Sequence, residues 1–243
     1  MLTNIIHNSS SENMSEVDDN SVHLVVTSPP YNVGKEYDKD LTLDEYLSFL
    51  NTVWKECYRV LVPGGRICVN LASSGKKPYV QKTHFVSIEM TKIGFYMRGE
   101  IIWNKGVSGS GSSSTAWGSW MSPSCPHIRD IHEDILIFSK GYGKLESINK
   151  EKDITREEFM EYTKSIWNMR TENKHSNPHP APFPEELPRR LIKLYTYIGD
   201  TVLDPFMGSG TSAITAMKLG RQYVGYETES RYVDMIKERM TKI

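Results

Sequence analysis

The chain has 243 residues, long enough to bury about 70 to 75% of its unfolded surface around one large core without a metal or disulfide staple. Its 29 basic and 30 acidic residues leave a formal charge of -1, and 38% of residues are hydrophobic; this excludes a disordered tail protein, a collagen and a supercharged nucleic-acid packager, but not nucleic acid as a substrate. Cys57, Cys68 and Cys125 are too widely spaced for a disulfide framework or a CxxC site, the first residues carry no basic leader, and no run approaches the roughly 20 apolar residues of a bilayer span, so a soluble, unexported protein of a reducing cytoplasm is expected.

Along the chain, short apolar runs alternate with longer segments of helical period, the pattern of helices packed on both faces of a mostly parallel sheet. The expected class is α/β, doubly wound. After a short strand at Thr3 to Ile6, Val22 to Thr27 reads as a buried strand that Pro29 and Pro30 stop. Thr42 opens a helix with Asp44 and Glu45 in its first turn, and apolar residues recur at helical spacing until Pro63-Gly64-Gly65 ends it. Arg66 to Leu71 is the next strand, followed by a lysine-bearing loop, a helix around Phe85 to Ile93 and a strand from Phe95 to Trp103. The Gly/Ser-rich stretch Gly106 to Ser119 is either a passive linker or a functional loop that docks through Trp117 and Trp120. Glu133 to Phe138 is a strand, and the polar region from there to Lys174 lacks a strong core pattern. A last block reads as helix Glu185 to Tyr197, strand Thr201 to Leu203, helix Thr211 to Leu219, strand Tyr223 to Glu227 and helix Glu229 to Met240, for about seven strands in all.

One constellation lies at Asp204-Pro205-Phe206-Met207-Gly208-Ser209-Gly210-Thr211, a strand end, a glycine turn and a helix start. Glycines there let a ligand approach the backbone, and the helix start offers unpaired N–H groups. No lysine precedes Thr211, so a phosphate-gripping Walker loop is not present. Asp204 suits an ammonium group instead, and Glu227, 23 positions on at the end of the next strand, suits the two hydroxyls of a ribose. The set describes a pocket for an adenosyl amino acid; a plain strand-to-helix turn capped by Asp204 is the simpler alternative. A second constellation is Thr27-Ser28-Pro29-Pro30-Tyr31-Asn32. The prolines fix backbone carbonyls beside the Ser28 hydroxyl, an arrangement able to grip an exocyclic amino group, and Tyr31 offers a flat face for a base rotated out of a duplex. Stacking of this kind needs no tyrosine hydroxyl. A proline-stiffened turn with a packed tyrosine is the simpler alternative.

Together these motifs resemble the S-adenosylmethionine-dependent DNA amino-methyltransferases, which modify N4 of cytosine or N6 of adenine. The family's catalytic loop is Asp, Asn or Ser before Pro-Pro and an aromatic residue, matched by Ser28 to Tyr31, and its cofactor loop Asp-Pro-Phe-x-Gly-x-Gly-Thr is matched by Asp204 to Thr211. The catalytic loop comes first, as in the circularly permuted beta group. The similarity also covers Arg59 to Gly65, His132 to Lys140, and His179 to Pro184 with its helix, whose Phe183 falls where the family closes over the methionine moiety. Where members often carry a Gly-Asp pair for the cofactor adenine, this chain has His7-Asn8-Ser9, which puts Asn8 at that end. The resemblance implies a methyltransferase sheet and direct in-line transfer to an amino nitrogen with no strong base demanded. Ser at the first position is associated with N4-cytosine, adenine N6 is the alternative, and an inactive cofactor-binding partner subunit is the reading from another class. Methylation at carbon 5 would need a thiolate, and Cys125 stands in Ser-Cys-Pro, the reverse of the order that chemistry uses.

The resemblance implies S-adenosylmethionine as cofactor and double-stranded DNA as partner, with a homodimer and a restriction endonuclease of the same site as further candidate partners and no membrane. Residues 1–140 then form the catalytic half of one domain, 141–177 a short target-recognition segment, and 178–243 the cofactor-binding half. Lys76, Lys77 and Lys82 crowd the loop beyond Leu71 and could hold phosphates, or simply be solvated. His127 and His132 lack a third ligand, so no metal site is expected.

Overall fold

Thr42 starts the first long helix through a capping box: its hydroxyl accepts the Glu45 backbone N–H while the Glu45 carboxylate reaches back to the Thr42 N–H. The helix, α1 (Leu43–Val60), buries Tyr46, Leu50, Val53, Trp54, Cys57 and Val60 along one stripe. The structure is a computed structural model that describes residues 3–31, 41–72, 79–106, 118–172 and 183–242. Around α1 run β1 (Ile5–His7), β2 (Val22–Thr27), β3 (Leu61–Leu71), α2 (Lys82–Ile93), β4 (Phe95–Asn104) and β5 (His132–Lys140). The chain continues with α3 (Arg156–Tyr162), β6 (Ile166–Asn168), α4 (Glu186–Tyr195), β7 (Thr201–Asp204), α5 (Thr211–Lys218), β8 (Gln222–Tyr226) and α6 (Ser230–Met240).

The strands form one eight-stranded sheet in the order β1-β8-β7-β2-β3-β5-β4-β6. All neighbours are parallel except β3 with β5 and β4 with β5. The alternation of strand side chains splits the core in two. Val25, Ile67, Val69, Leu136 and Phe138 face α1 and α2, where Tyr46, Trp54, Val86 and Met90 are buried. Leu24, Val26, Cys68, Ile135 and Ile137 face the opposite way, onto Leu187, Leu191, Ile192 and Ala213. At about 1.5 to 3 kcal/mol for each large side chain taken out of water, these two layers hold the doubly wound architecture together.

The class matches the sequence reading, and so does the order of elements apart from the course of β3 and from α3 and β6, which the polar stretch supplies. Pro63-Gly64-Gly65 does not separate helix from strand: α1 ends at Val60, and β3 runs through the triplet. Val22 pairs with Leu61 and Leu24 with Arg66, so extra residues of β3 bulge out, and Gly64 sits there at φ 81° with the Lys144 carbonyl packed where a Cβ would stand. The eighth strand is β6, drawn from the polar stretch that lacks a core pattern. It pairs with β4 at the sheet edge, Ile102 opposite Ile166 and Trp103 opposite Trp167. Tyr162, Trp167 and Met169 supply the buried anchors of that segment, too sparse to register as a period. No helix among the described residues is long and apolar enough to cross a membrane.

Candidate active site

The chain leaves β2 toward β3 on one side and β7 toward β8 on the other, while β2 and β7 themselves are neighbours. Their carboxyl ends therefore flank the point where the winding direction reverses, the place where open α/β sheets bind ligands. This topology joins two motifs distant in sequence. The Thr27 hydroxyl, at the end of β2, donates to Asp204 Oδ1 at the end of β7 over 2.7 Å, across 177 residues of chain. The Phe206 N–H donates to the same oxygen at 3.0 Å. Asp204 is only 2% exposed, and burial pushes its carboxyl up to about 6 against the hydrogen bonds from Ser212, Thr27 and Phe206 that favour the charged form. These bonds come from neutral groups, so an ionised Asp204 would gain from a cation.

The turn after Asp204 is rigid. Pro205 is buried, and Phe206 packs against the ring of Phe49 and edge-on to Trp54 in the first core. The Ser209 hydroxyl bonds that of Thr211 at 3.1 Å, and Arg239 of α6 donates to the Ser209 carbonyl. Gly210 caps α5 at φ 75°, and a Cβ there would lie 2.6 Å from Ile236. Its requirement for glycine thus comes from backbone conformation and the helix behind it, not from a ligand in front. Gly208 supplies its N–H to Glu227 Oε2 at 2.8 Å, and Glu227 Oε1 takes the Glu229 N–H at 2.9 Å. Burial raises the Glu227 carboxyl, with these backbone donors acting against that shift. Each carboxylate oxygen keeps a lone pair for a further donor. Asn8 stands beside it, its amide nitrogen donating to the carbonyls of Glu227 (2.8 Å) and Thr228 (3.1 Å). Phe183 is half-buried and packs against the second core.

The catalytic-loop candidates follow β2 directly. Pro29 is buried, Ser28, Pro30 and Tyr31 are half-buried, and no described residue donates to the Pro29 carbonyl. The Ser28 hydroxyl bonds the Tyr31 hydroxyl at 2.9 Å, which in turn bonds Glu133 Oε2 at 3.0 Å. Asn70 Nδ2 donates to both, 3.0 Å from the tyrosine oxygen and 2.6 Å from Glu133. Lys105 completes the set with 2.6 Å to Glu133 Oε1. Burial, followed by the Glu133 charge, holds the Tyr31 hydroxyl well above its ordinary value, so it stays protonated. The Tyr31 ring is therefore pinned through a hydroxyl with three partners.

Among the DNA-contact candidates, Lys76 and Lys77 lie outside the described residues. Lys82 does not reach outward: it is 4% exposed, opens α2, and gives its ammonium to the Tyr31 carbonyl. A lysine at the first turn of a helix can fold its stem under the neighbouring loop, which sequence spacing does not show. Asn70 and Lys105 join the site without having stood out in sequence, and Thr27 and Glu133 join it from segments in which they had been given no role. The available signal was a polar residue at the sheet-edge end of an otherwise apolar strand. Cys125 is exposed, while Cys57 and Cys68 are buried with thiols pushed up by desolvation.

Comparison with known proteins agrees with this geometry. The DNA methylase family model matches residues 22–238. Type II methyltransferase M.MjaI of Methanocaldococcus jannaschii is 33% identical over 93% of this chain and 88% of its own length. M.HpaI of Haemophilus parainfluenzae is 31% identical over 93% of this chain and 70% of its own. A Thermus thermophilus protein named as a DNA modification methylase, solved with S-adenosyl-L-methionine, superposes with a TM-score of 0.79 at 29% identity, covering 98% of this chain and 93% of that one. The cytosine-N4-specific PvuII DNA methyltransferase shares the fold with a TM-score of 0.76 at 21% identity, over 98% of this chain and 89% of its own.

Proposed function

The chain belongs to the N6/N4 DNA methylase family, and from that premise we propose that it methylates the N4 amino group of cytosine in a base rotated out of duplex DNA. Its cofactor is S-adenosylmethionine. The site fits that group: Asp204 is a buried carboxyl with neutral donors alone, matched to an ammonium, and Glu227 has spare acceptors at the end of the neighbouring strand. The cofactor supplies an electrophilic methyl group on a sulfonium centre.

The observation that carries the reading is the Thr27–Asp204 bond, which sets the Ser28-Pro29-Pro30-Tyr31 loop against the Asp204 to Thr211 turn at the switch point. Asp204 holds the amino-acid end, Glu227 and Asn8 the adenosine end, and Phe183 flanks the methionine moiety. The turn of Pro205, Phe206, Gly208, Ser209, Gly210 and Thr211 fixes the distance between them. Ser28 and the Pro29 carbonyl accept the hydrogens of the target amino group, which frees its lone pair for attack along the line opposite the sulfur. Tyr31 supports the base by its face. Serine at position 28 favours cytosine over adenine. The segment 141–177, which carries α3 and β6 at the far sheet edge, shares target recognition with the loop between β4 and β5, and DNA is met at the carboxyl edge of the sheet. A second copy of the chain and a restriction endonuclease of the same site remain part of this proposal as partners. Incubation with isotopically labelled S-adenosylmethionine and DNA, digestion to nucleosides and mass spectrometry tests it. Labelled N4-methylcytosine is expected; N6-methyladenine alone would replace cytosine by adenine as the target.

A further inference from the structure

The antiparallel course of β5 brings its first residues to the carboxyl edge of β3, and so places Glu133 beside the catalytic loop. There it closes a continuous chain from Ser28 through Tyr31 to its own carboxylate, with Asn70 and Lys105 bracing the end. We propose that Glu133 is the terminal proton acceptor of this chain, and that its charge sets the direction of every hydrogen bond in it.

The direction follows from the inventory of donors. An ionised carboxylate only accepts, so the Tyr31 hydroxyl donates to Glu133. Lys105 and the Asn70 amide nitrogen donate as well, which leaves Glu133 with no alternative polarity. The Tyr31 oxygen then accepts from Ser28 and from Asn70. With its own proton committed to Tyr31, Ser28 turns lone pairs toward the target, where it can accept an amino N–H but cannot donate to a keto oxygen. The chain thereby selects bases that carry an exocyclic amino group. It also gives the departing proton a route. When the amino nitrogen forms its bond to the methyl carbon and the carbon–sulfur bond breaks, the nitrogen becomes cationic. Its proton passes to the Ser28 oxygen as the Ser28 proton moves to Tyr31 and the Tyr31 proton to Glu133, ending as a neutral glutamic acid next to Lys105. Asn70 Oδ1, buried without a donor among the described residues, shows that this corner is not arranged for packing alone.

The inference rests on the amino-methyltransferase reading but not on the choice of base. Glu133→Gln removes the charge while keeping the shape, and either orientation of the new amide turns a donor toward a donor, on the Lys105 side or on the Tyr31 and Asn70 side. Single-turnover methylation, read as total methylated base of either kind on preformed cofactor complexes, should fall about 100-fold. Tyr31→Phe should fall by a similar factor, and the double variant no further than either alone, because all three interrupt one path. The groups facing Glu133 are Lys105 from the end of β4, Asn70 from β3, Tyr31 with Lys82 behind it, and His132 and Asp134 on its own strand. Cofactor affinity by calorimetry should stay near wild type, and thermal unfolding checks that the variant remains folded at the assay temperature. A Glu133→Gln rate within about threefold of wild type, or drops that multiply in the double variant, would overturn the relay. A wild-type protein that methylates neither base would overturn the functional reading and the relay together.

Discussion

Replacing Asp204 by Asn separates what the carboxyl costs the empty protein from what it does for the cofactor. Holding this carboxyl at about 6 when its ordinary value is 3.8 costs about 3 kcal/mol of folding stability once the group is ionised. The sign follows from a raised acid: its contribution is fully present below pH 3.8, and is lost as pH rises through about 6. Asparagine keeps an oxygen for the Thr27 hydroxyl and the Phe206 N–H but carries no charge to desolvate. Without cofactor, Asp204→Asn should therefore be more stable than wild type by up to about 3 kcal/mol at pH 8 and about half that at pH 5. In a chain of this length that is a rise of up to about 10 °C in melting temperature at pH 8. With cofactor that advantage should shrink, since an ammonium group loses its charged partner; about 2 kcal/mol of binding, or roughly 30-fold in Kd, is expected to be lost. Thermal unfolding at the two pH values and calorimetric titration of S-adenosylmethionine read both effects. An Asn variant that is no more stable than wild type at pH 8, or that binds the cofactor as tightly, would refute the assignment.

Gly210→Ala should destabilise the protein by about 3 kcal/mol through its left-handed backbone and the contact with Ile236, seen as a lower melting temperature with or without cofactor. Glu227→Ala should weaken S-adenosylmethionine about tenfold, less than loss of Asp204 does because ribose hydroxyls are neutral; calorimetry with adenosine alone should show the same factor if the contact is to the ribose. Tyr31→Ala removes the relay hydroxyl and the base stack together, so it should slow single-turnover methylation more than Tyr31→Phe does, by a further factor of roughly 10 to 100, while cofactor affinity stays near wild type.

The fold was legible in sequence wherever burial imposes a period. The α1 stripe from Tyr46 to Val60 and the apolar runs of β2, β5 and β7 announce themselves, as do the proline and glycine stops around them. What escaped was held by few contacts. Gly64 hides a bulge inside β3 because a glycine pair reads as a chain break until its pairing partner is known. Trp167 alone anchors a three-residue edge strand in a charged stretch. The site divides in the same way. Its two loops are contiguous motifs and are visible residue by residue, whereas Asn70, Lys105 and Glu133 come from three different strand ends and converge only through sheet order. The inward turn of Lys82 is a side-chain choice that spacing does not encode.

A crystal structure of the protein with S-adenosylhomocysteine and a DNA duplex measures the central claim directly, namely that the Ser28 to Tyr31 loop and the Asp204 to Glu227 pocket are one active site. The account predicts the amino-acid end of the ligand at Asp204, the ribose on Glu227, and the sulfur facing a base whose amino group lies against Ser28 and the Pro29 carbonyl. A ligand bound away from Asp204 and Glu227, or a base left stacked in the duplex with Ser28 untouched, would contradict it.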